Sequence, residues 1–433
     1  MFNIIKISIL KMRYRSSVVC FLLLACIQSS LMAQDAKLKN YLRQAADNHP
    51  ALQAGYKRWQ ASLEKVPQAA ALPDPSVSVG YFILPVETRL GPQRMKLSVN
   101  QQFPWFGTLK ARKDLASQQA ALEYAKFESL KNDLFFDVRK QYYEIYGISQ
   151  QISLRKNMLE IQKSMENIAL EAYKNDLQNL SEVLKLQMDI RENETAIQNL
   201  EADLSSNYIL LSEKTGQKPS QNQQIQLSVA DTLQTSPLLF TLEVLQDSAR
   251  NSNPKAFAML QDVSVEDKAF SVAKQDSKAK IGAGLDYGIL GQRTDASPEN
   301  NGRDILMPMV SVSIPIFNKE KYRAQQQEVV LKKESKQADY EAFINQLEAN
   351  IAKTWTDYKN TERNLNLIQE QQETLRQIER LTTSRYSNTE AGYNEILGIK
   401  VAKIKLDLEK EMLLVQLAVS KAKLQQLCGI EKI

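Results

Sequence analysis

The chain has 433 residues, enough for two or three ordinary domains, yet only 14 glycines and 13 prolines punctuate it. Its long stretches of Gln, Lys, Glu, Leu and Ala read as long helices. The net charge of +5 suits solvated helix faces and gives no concentrated basic patch of the kind a nucleic-acid partner requires.

The first element is a targeting segment. Lys6, Lys11, Arg13 and Arg15 precede an apolar run from Val18 to Ile27, and Gln28 to Ala33 follow. That order is a charged region, a short apolar region and a small-residue cleavage site, so residues 1–33 read as a secretory signal peptide cut after Ala33. The alternative is Leu23-Leu24-Ala25-Cys26, where Cys26 would be acylated and become the mature N-terminus. Cys20 and Cys26 both lie in this segment, which leaves Cys428 as the remaining thiol and no intrachain disulfide after cleavage at Ala33. No later apolar run is long enough for a membrane helix, so a membrane span would have to be made of strands.

The mature chain repeats itself. Leu38, Tyr41, Ala45, Asn48 and Pro50 are echoed by Leu242, Leu245, Ala249, Ser252 and Pro254. Phe103-Pro104-Trp105-Phe106 with Lys110 and Arg112 is echoed by Ile314-Pro315-Ile316-Phe317 with Lys321 and Arg323. Gly216 and Gly429 close the two halves. Several matches in one order, at an offset drifting from about 204 to about 213 residues, indicate duplication. Residues 34–216 are read as the first repeat and 238–433 as the second. Residues 217–237 are a Gln/Ser/Pro-rich linker with one short strand near Ile225 to Val229.

Each repeat opens with a helix, the first from about Leu38 to Ala71 with a break near Pro50. Two alternating segments follow in each half. Val77, Val79, Tyr81 and Ile83 oppose Ser76, Ser78 and Gly80; Met95, Leu97 and Val99 oppose Arg94, Lys96, Ser98, Asn100 and Gln102. In the second half Ile281, Ala283, Leu285, Tyr287 and Ile289 oppose Lys280, Gly282, Gly284, Asp286 and Gly288, while Val310, Val312 and Ile314 oppose Ser311 and Ser313. Period-two alternation alone favours a half-buried sheet in a soluble domain. Beside an export signal and long helices, however, segments of about ten residues suit tilted strands with lipid on one side and water on the other. Arg94, Lys96, Ser98, Asn100, Asp286, Ser311 and Ser313 would then face a barrel lumen, and Met307 and Met309, beside Pro308, the lipid. Open edges are not viable in lipid, and four strands are too few to close a barrel. Two or three chains would have to pool their strands.

After the strands, Gly107 to Lys174 and Lys319 to Tyr386 hold nothing that stops a helix except Gly147, which helices tolerate. About 68 residues at 1.5 Å each span roughly 100 Å. Leu154, Met158, Ile161, Met165 and Ile168, and again Leu397, Val401, Ile404, Leu408, Met412, Val415 and Val419, keep coiled-coil spacing. The breaks come at Asn175 to Asn179 and at Ser387 to Gly392. Chemistry of an enzymatic kind is not visible. His49 stands alone, without ligand-spaced partners, which gives neither a metal nor a cofactor site. No phosphate loop follows a strand, and His49 completes no nucleophile–base pair, Ser–Lys pairs being the one arrangement left open.

The Leu38/Ala45/Pro50 opening, the strand exit from Val310 to Phe317, and Tyr386 followed by Glu395-Ile396-Leu397 resemble signatures of the TolC family of outer-membrane efflux proteins. The resemblance covers essentially the whole mature chain. It implies a mainly α fold with membrane β: an internally duplicated chain whose long coiled-coil helices form a periplasmic tunnel. Its four strands would enter a shared twelve-stranded outer-membrane barrel in a homotrimer. Partners implied are a periplasmic adaptor and an inner-membrane pump of the resistance-nodulation-division type, in a Gram-negative envelope. The stretch Gln102 to Gly107 is similar to the branch that exports heavy-metal cations; drug export is the alternative cargo.

The resemblance also makes the helical tips the periplasmic mouth. Asn179, Leu180 and Ser181, with Gly392, Tyr393 and Asn394, would meet the adaptor. Glu395 stands where the family places an acidic constriction residue, and Glu182 is its repeat partner. The second acid often found three residues later is replaced by Lys185 and Gly398. Tyr173 and Tyr386 would brace helices beside that mouth. Glu182 and Glu395 also fit ordinary solvated helix faces. Two other functions fit the chain: the outer-membrane duct of a type I protein secretion system, and a non-conducting periplasmic coiled coil.

Overall fold

A computed structural model describes residues 37–177, 179–217, 233, 238, 240–387 and 393–430. The cleavage and lipidation candidates Ala33 and Cys26, the linker strand at 225–229, and Gly392 lie outside them. The order of elements is helix α1 (described over 37–48), α2 (Pro50–Ala70), β1 (Ser76–Thr88), β2 (Gly91–Phe103), α3 (Thr108–Lys174) and α4 (Leu180–Lys214). The second half runs α5 (Leu242–Ser252), α6 (Pro254–Asp276), β3 (Lys280–Leu290), β4 (Ile305–Ser313), α7 (Lys319–Ser387) and α8 (Tyr393–Cys428). The same sequence of elements therefore occurs twice. The chain forms two compact units: Ala54–Ser129 with Pro254–Ile344, which holds the sheet, and Leu130–Asn253 with Asn345–Ile433 and the chain up to Gln53.

Local chemistry explains the matching breaks. Pro50 and Pro254 each sit at the first position of a helix, where the missing N–H costs nothing. The residue before each proline is pushed out of helical geometry, which ends α1 at His49 and α5 at Asn253. Each of these residues docks on the end of the last helix of its own half. His49 Nε2 lies 3.9 Å from Glu213 Oε1, and Asn253 Nδ2 donates to the Leu427 carbonyl at 2.8 Å.

Those last helices end alike. Gly216 and Gly429 have φ of 71° and 67°. In each case the following residue donates back to the helix: Gln217 N to Ser212 O at 2.9 Å and Ile430 N to Gln425 O at 3.1 Å. This is the Schellman closure that a left-handed glycine permits. A Cβ on Gly216 would also come within 2.5 Å of the Asn48 backbone, so the position excludes side chains twice over.

The long helices α3 and α7 run 67 and 69 residues, about 100 Å each. α3 buries Leu134, Val138, Tyr142, Ile145, Tyr146, Ile152 and Met158, a stripe at helical spacing. In α8 the buried line differs from the heptad reading at one point. Leu397 and Ile404 are buried, but Met412 is exposed, and burial resumes at Leu417 and Ala418. The α-helix drifts about 20° per heptad, which carries Met412 off the seam and brings half-buried Glu411 onto it. Glu411 accepts from Tyr146 Oη at 3.3 Å, and burial raises the pKa of its carboxyl.

The same tyrosine accepts from the Leu233 backbone N–H at 3.2 Å, and its own pKa is pushed up to about 12, chiefly by burial. Tyr358, at the corresponding place in α7, accepts from Leu238 N at 3.2 Å. Paired tyrosines thus hold two points of the segment that joins the halves.

Gly147 has a packing role beyond mere tolerance by the helix. A Cβ there would lie 2.7 Å from Val415 Cγ2, so its absence is what lets α8 approach α3. Gly147→Ala gains about 1 kcal/mol of helix propensity but overpacks a stiff valine, at about 1–3 kcal/mol. The substitution is expected to lower the melting temperature of the purified protein and to raise it when Val415 is also alanine. Equal shifts in both backgrounds would contradict the contact.

Candidate functional site

The strands form one antiparallel sheet in the order β1-β2-β3-β4. Its register assigns every side chain to a face. Val77 pairs with Val99, Val79 with Leu97 and Tyr81 with Met95. Val99 continues to Leu285 and Leu97 to Tyr287, and Ile281 and Ala283 pair with Val312 and Val310. One face is therefore apolar across all four strands. The other carries Ser76, Ser78 and Gly80, then Lys96, Ser98 and Asn100, then Gly284, Asp286 and Gly288, then Ser311 and Ser313.

The apolar face is not packed away as in a water-soluble sheet: Val79 is 65 % exposed, Tyr81 71 % and Val310 80 %. On the polar face the centre is covered, Ser98 at 7 % and Asp286 at 3 %, while Ser76, Ser78, Asn100, Ser311 and Ser313 are exposed. An exposed, contiguous apolar sheet face marks a surface meant for something other than water. From Met95 to Phe103 this row, interrupted only by Gln101 opposite Ala283, rises about 27 Å along the strand, or about 20 Å once a barrel tilt is applied, close to the apolar belt of membrane barrels.

The register corrects three expectations. Met307 pairs with Asp286 and Met309 with Gly284, so both methionines belong to the polar face and not to the lipid-facing one, in step with Ser311 and Ser313. Arg94 is the extra residue where the register shifts between Gln93 and Met95. This bulge interrupts the alternation that placed Arg94 in line with Lys96. The pairing of β1 also shifts between Tyr81 and Val86, so Ile83 leaves the regular apolar row.

Lys96 and Asp286 join β2 to β3 across the polar face, Nζ to Oδ2 at 2.5 Å, with the carboxylate almost fully covered. Polar side chains of the neighbouring strands reach over the glycines of β3. A Cβ on Gly284 would be 2.2 Å from Asn100 Oδ1, and one on Gly282 would be 2.3 Å from Ser311 Oγ. β3 thus provides floor space for its neighbours' side chains, which is why it alternates with glycine.

At the first tip α3 ends on Asp176, whose φ of 57° is the left-handed closure usually given to glycine. Leu177 N donates to Ala172 O at 2.9 Å. Asn179 caps α4 by backbone geometry, without a side-chain cap bond; Leu180 opens the helix, and Ser181 and Glu182 are exposed in its first turn. Val183 is buried beside them. At the second tip Tyr393 opens α8 and Asn394 is half-buried. Glu395 faces Arg385, Oε1 to Nη1 at 3.5 Å, both about half exposed. Tyr173 and Tyr386 are also largely exposed. The two acids thus sit in equivalent first turns.

Two features were invisible to sequence reasoning: the Lys96–Asp286 ion pair and the arginine opposite Glu395. No local signal marks either, because each depends on register. Among the described residues, no cluster of metal-ligating side chains occurs and no helix is long and apolar enough to cross a membrane.

The sequence itself matches no family model and no curated protein. Solved structures do match over nearly the whole chain. The outer-membrane channel OprN superposes with a TM-score of 0.70 at 15 % identity, covering 92 % of this chain and 90 % of its own. The outer membrane protein VceC from Vibrio cholerae gives 0.71 at 14 %, covering 91 % and 96 %. The MtrE outer membrane channel from Neisseria gonorrhoeae, in its open state, gives 0.71 at 12 %, covering 91 % and 89 %. The fold is that of the outer-membrane channels. The three scores are nearly equal, so the fold favours no single branch of them.

The Lys96–Asp286 pair makes a test of the polar face. Removing one partner of a covered pair leaves an uncompensated charge, whereas removing both does not. Lys96→Met is expected to lower the melting temperature markedly, Asp286→Asn less, because the freed ammonium reaches solvent. The double variant should recover most of the loss. If all three melt together, the pair has no part in holding β2 to β3.

Proposed function

We propose that the chain is the outer-membrane channel of a tripartite efflux system, passively conducting cargo delivered by an inner-membrane pump through a periplasmic adaptor. The observation that carries this reading is the sheet's exposed, continuous apolar face, set against a polar face whose covered centre is Ser98 and Asp286. β1 and β4 end it with unpaired edges. Such edges cannot face lipid, and copies of the same chain can close them edge to edge. Three copies would give twelve strands, with Lys96, Ser98, Asn100, Asp286, Ser311 and Ser313 turned to the lumen, and Arg94 at its rim. Within this reading the long helices extend from the outer membrane through the periplasm. The tips at Asn179–Ser181 and Gly392–Asn394 meet the adaptor, and the pump is of the resistance-nodulation-division type. Metal cations or drugs are the cargo, the former favoured by the Gln102 to Gly107 stretch.

Glu182 and Glu395 are assigned to the periplasmic constriction, where a ring of carboxylates favours cations. Tyr173 and Tyr386 flank it. Arg385 opposes Glu395, but an exposed pair of this kind is weak, so the acid keeps most of its influence. In planar bilayers the purified protein is expected to form discrete channels. Glu182→Gln with Glu395→Gln should lower the cation-to-anion permeability ratio, and Arg385→Gln should raise it. A wild-type protein that never conducts would sink the channel reading. Conduction with an unchanged ratio in both variants would remove only the tip assignment.

A further inference from the structure

The strand exits carry a feature that conduction does not use. β2 and β4 both leave the sheet through proline, at Phe103-Pro104-Trp105-Phe106 and Ile314-Pro315-Ile316-Phe317, before α3 and α7 begin. Phe106 and Phe317 occupy matching places and are 81 % and 97 % exposed. Ile314 and Ile316 are exposed beside the latter. Each exit is followed at once by cations: Lys110 and Lys113 in α3, Lys319, Lys321 and Arg323 in α7, all exposed. None of these five forms an ion pair among the described residues. Their neighbour Arg112 is different, being bound to Asp276 at 2.9 Å.

The placement runs against helix electrostatics. The start of a helix is the positive end of its dipole and favours acids, yet α3 has no acid in its first turn and α7 has only Glu320. Exposed cations at that end add to the positive potential of the helix start, which an anion from outside the chain would neutralise. The phenylalanines indicate where it comes from. Both stand just past the last paired residues of their strands, at Phe103 and Ser313, and exposed aromatics beyond a strand end suit the boundary between hydrocarbon and headgroups. Basic side chains one helical turn beyond such a boundary lie at the depth of lipid phosphates. Both halves of the chain repeat the arrangement, so the two exits present the same chemistry.

We propose that the two strand exits form a binding surface for anionic phospholipid headgroups, with Phe106 and Phe317 in the acyl boundary and Lys110, Lys113, Lys319, Lys321 and Arg323 on the phosphates. The proposal rests on the lipid-facing reading of the sheet. It is tested with the full-length protein in detergent micelles titrated with phosphatidylglycerol, phosphatidylcholine or inorganic phosphate, and in nanodiscs of either lipid. Phosphatidylglycerol is expected to raise the melting temperature and to bind at least tenfold more tightly than phosphatidylcholine. That preference should weaken as salt increases. Lys110→Gln/Lys113→Gln and Lys319→Gln/Lys321→Gln/Arg323→Gln should each reduce it, and all five together abolish it.

In nanodiscs of brominated phosphatidylglycerol, Trp105 fluorescence should be quenched in the wild type and in the Lys110→Gln/Lys113→Gln variant alike, which shows that the variant still inserts. Equal binding of both lipids by the wild type overturns the proposal, as does an undiminished preference in the five-fold variant. Equal stabilisation by inorganic phosphate also overturns it, since the surface would then be a free-anion site. A protein that enters neither nanodisc fails the lipid-facing reading itself, an outcome distinct from insertion without lipid preference.

Discussion

Backbone hydrogen bonding is the constraint on which the rest of this molecule depends. A four-stranded sheet with an apolar exposed face belongs against hydrocarbon, where each unpaired N–H or C=O costs several kcal/mol. Both end strands, β1 and β4, leave a row of such groups. The chain carries no other strand among the described residues that could cover them. In the proposed reading the side chains ask for a lipid environment that the backbone of a single copy does not satisfy, and closure by further copies would resolve the conflict. Matching the two hairpins within each copy then becomes important, and the Lys96–Asp286 pair lies between them.

The helical part answers a different demand, length without a globular core. α3 and α7 gain their stability from narrow seams, and the seams hold because small features are set at particular points. Gly147 makes room for Val415, Tyr146 turns a half-buried Glu411 into a hydrogen-bond partner, and glycine closures end α4 and α8 in the same way. Some devices recur in corresponding places in the two halves, at His49 and Asn253, Tyr146 and Tyr358, Gly216 and Gly429, whereas Gly147 has a lysine, Lys359, at its matching place. A change at one has a natural control at the other.

Much of this was legible in the sequence because it rests on periodicity and punctuation. The ends of α3 and α7 were readable within a residue or so, since Gly107, Asn175 and the residues after Tyr386 interrupt an otherwise unbroken pattern. The breaks before Pro50 and Pro254 follow from proline geometry. Period-two alternation gave the faces of all four strands. What failed was register. A bulge at Arg94 or an irregular stretch after Tyr81 changes which residues share a face, and alternation read one strand at a time cannot locate it. Met307 and Met309 were misassigned for another reason: their hydrophobicity was given more weight than the alternation, which sets them with Ser311 and Ser313, as their pairing with Asp286 and Gly284 bears out. The Met412 misreading has its own cause, drift of a straight helix away from a strict heptad.

Accessibility along the strands tests the lipid-facing reading of the sheet most directly. Single cysteines placed at Ser78, Val79, Leu97, Asn100, Val310 and Ser311 can be probed in intact membranes with a water-soluble, membrane-impermeant maleimide. The account predicts labelling at Ser78, Asn100 and Ser311 and protection at Val79, Leu97 and Val310, with protection lost in detergent. Labelling at all six positions, or protection of the polar positions with labelling of the apolar row, would contradict it.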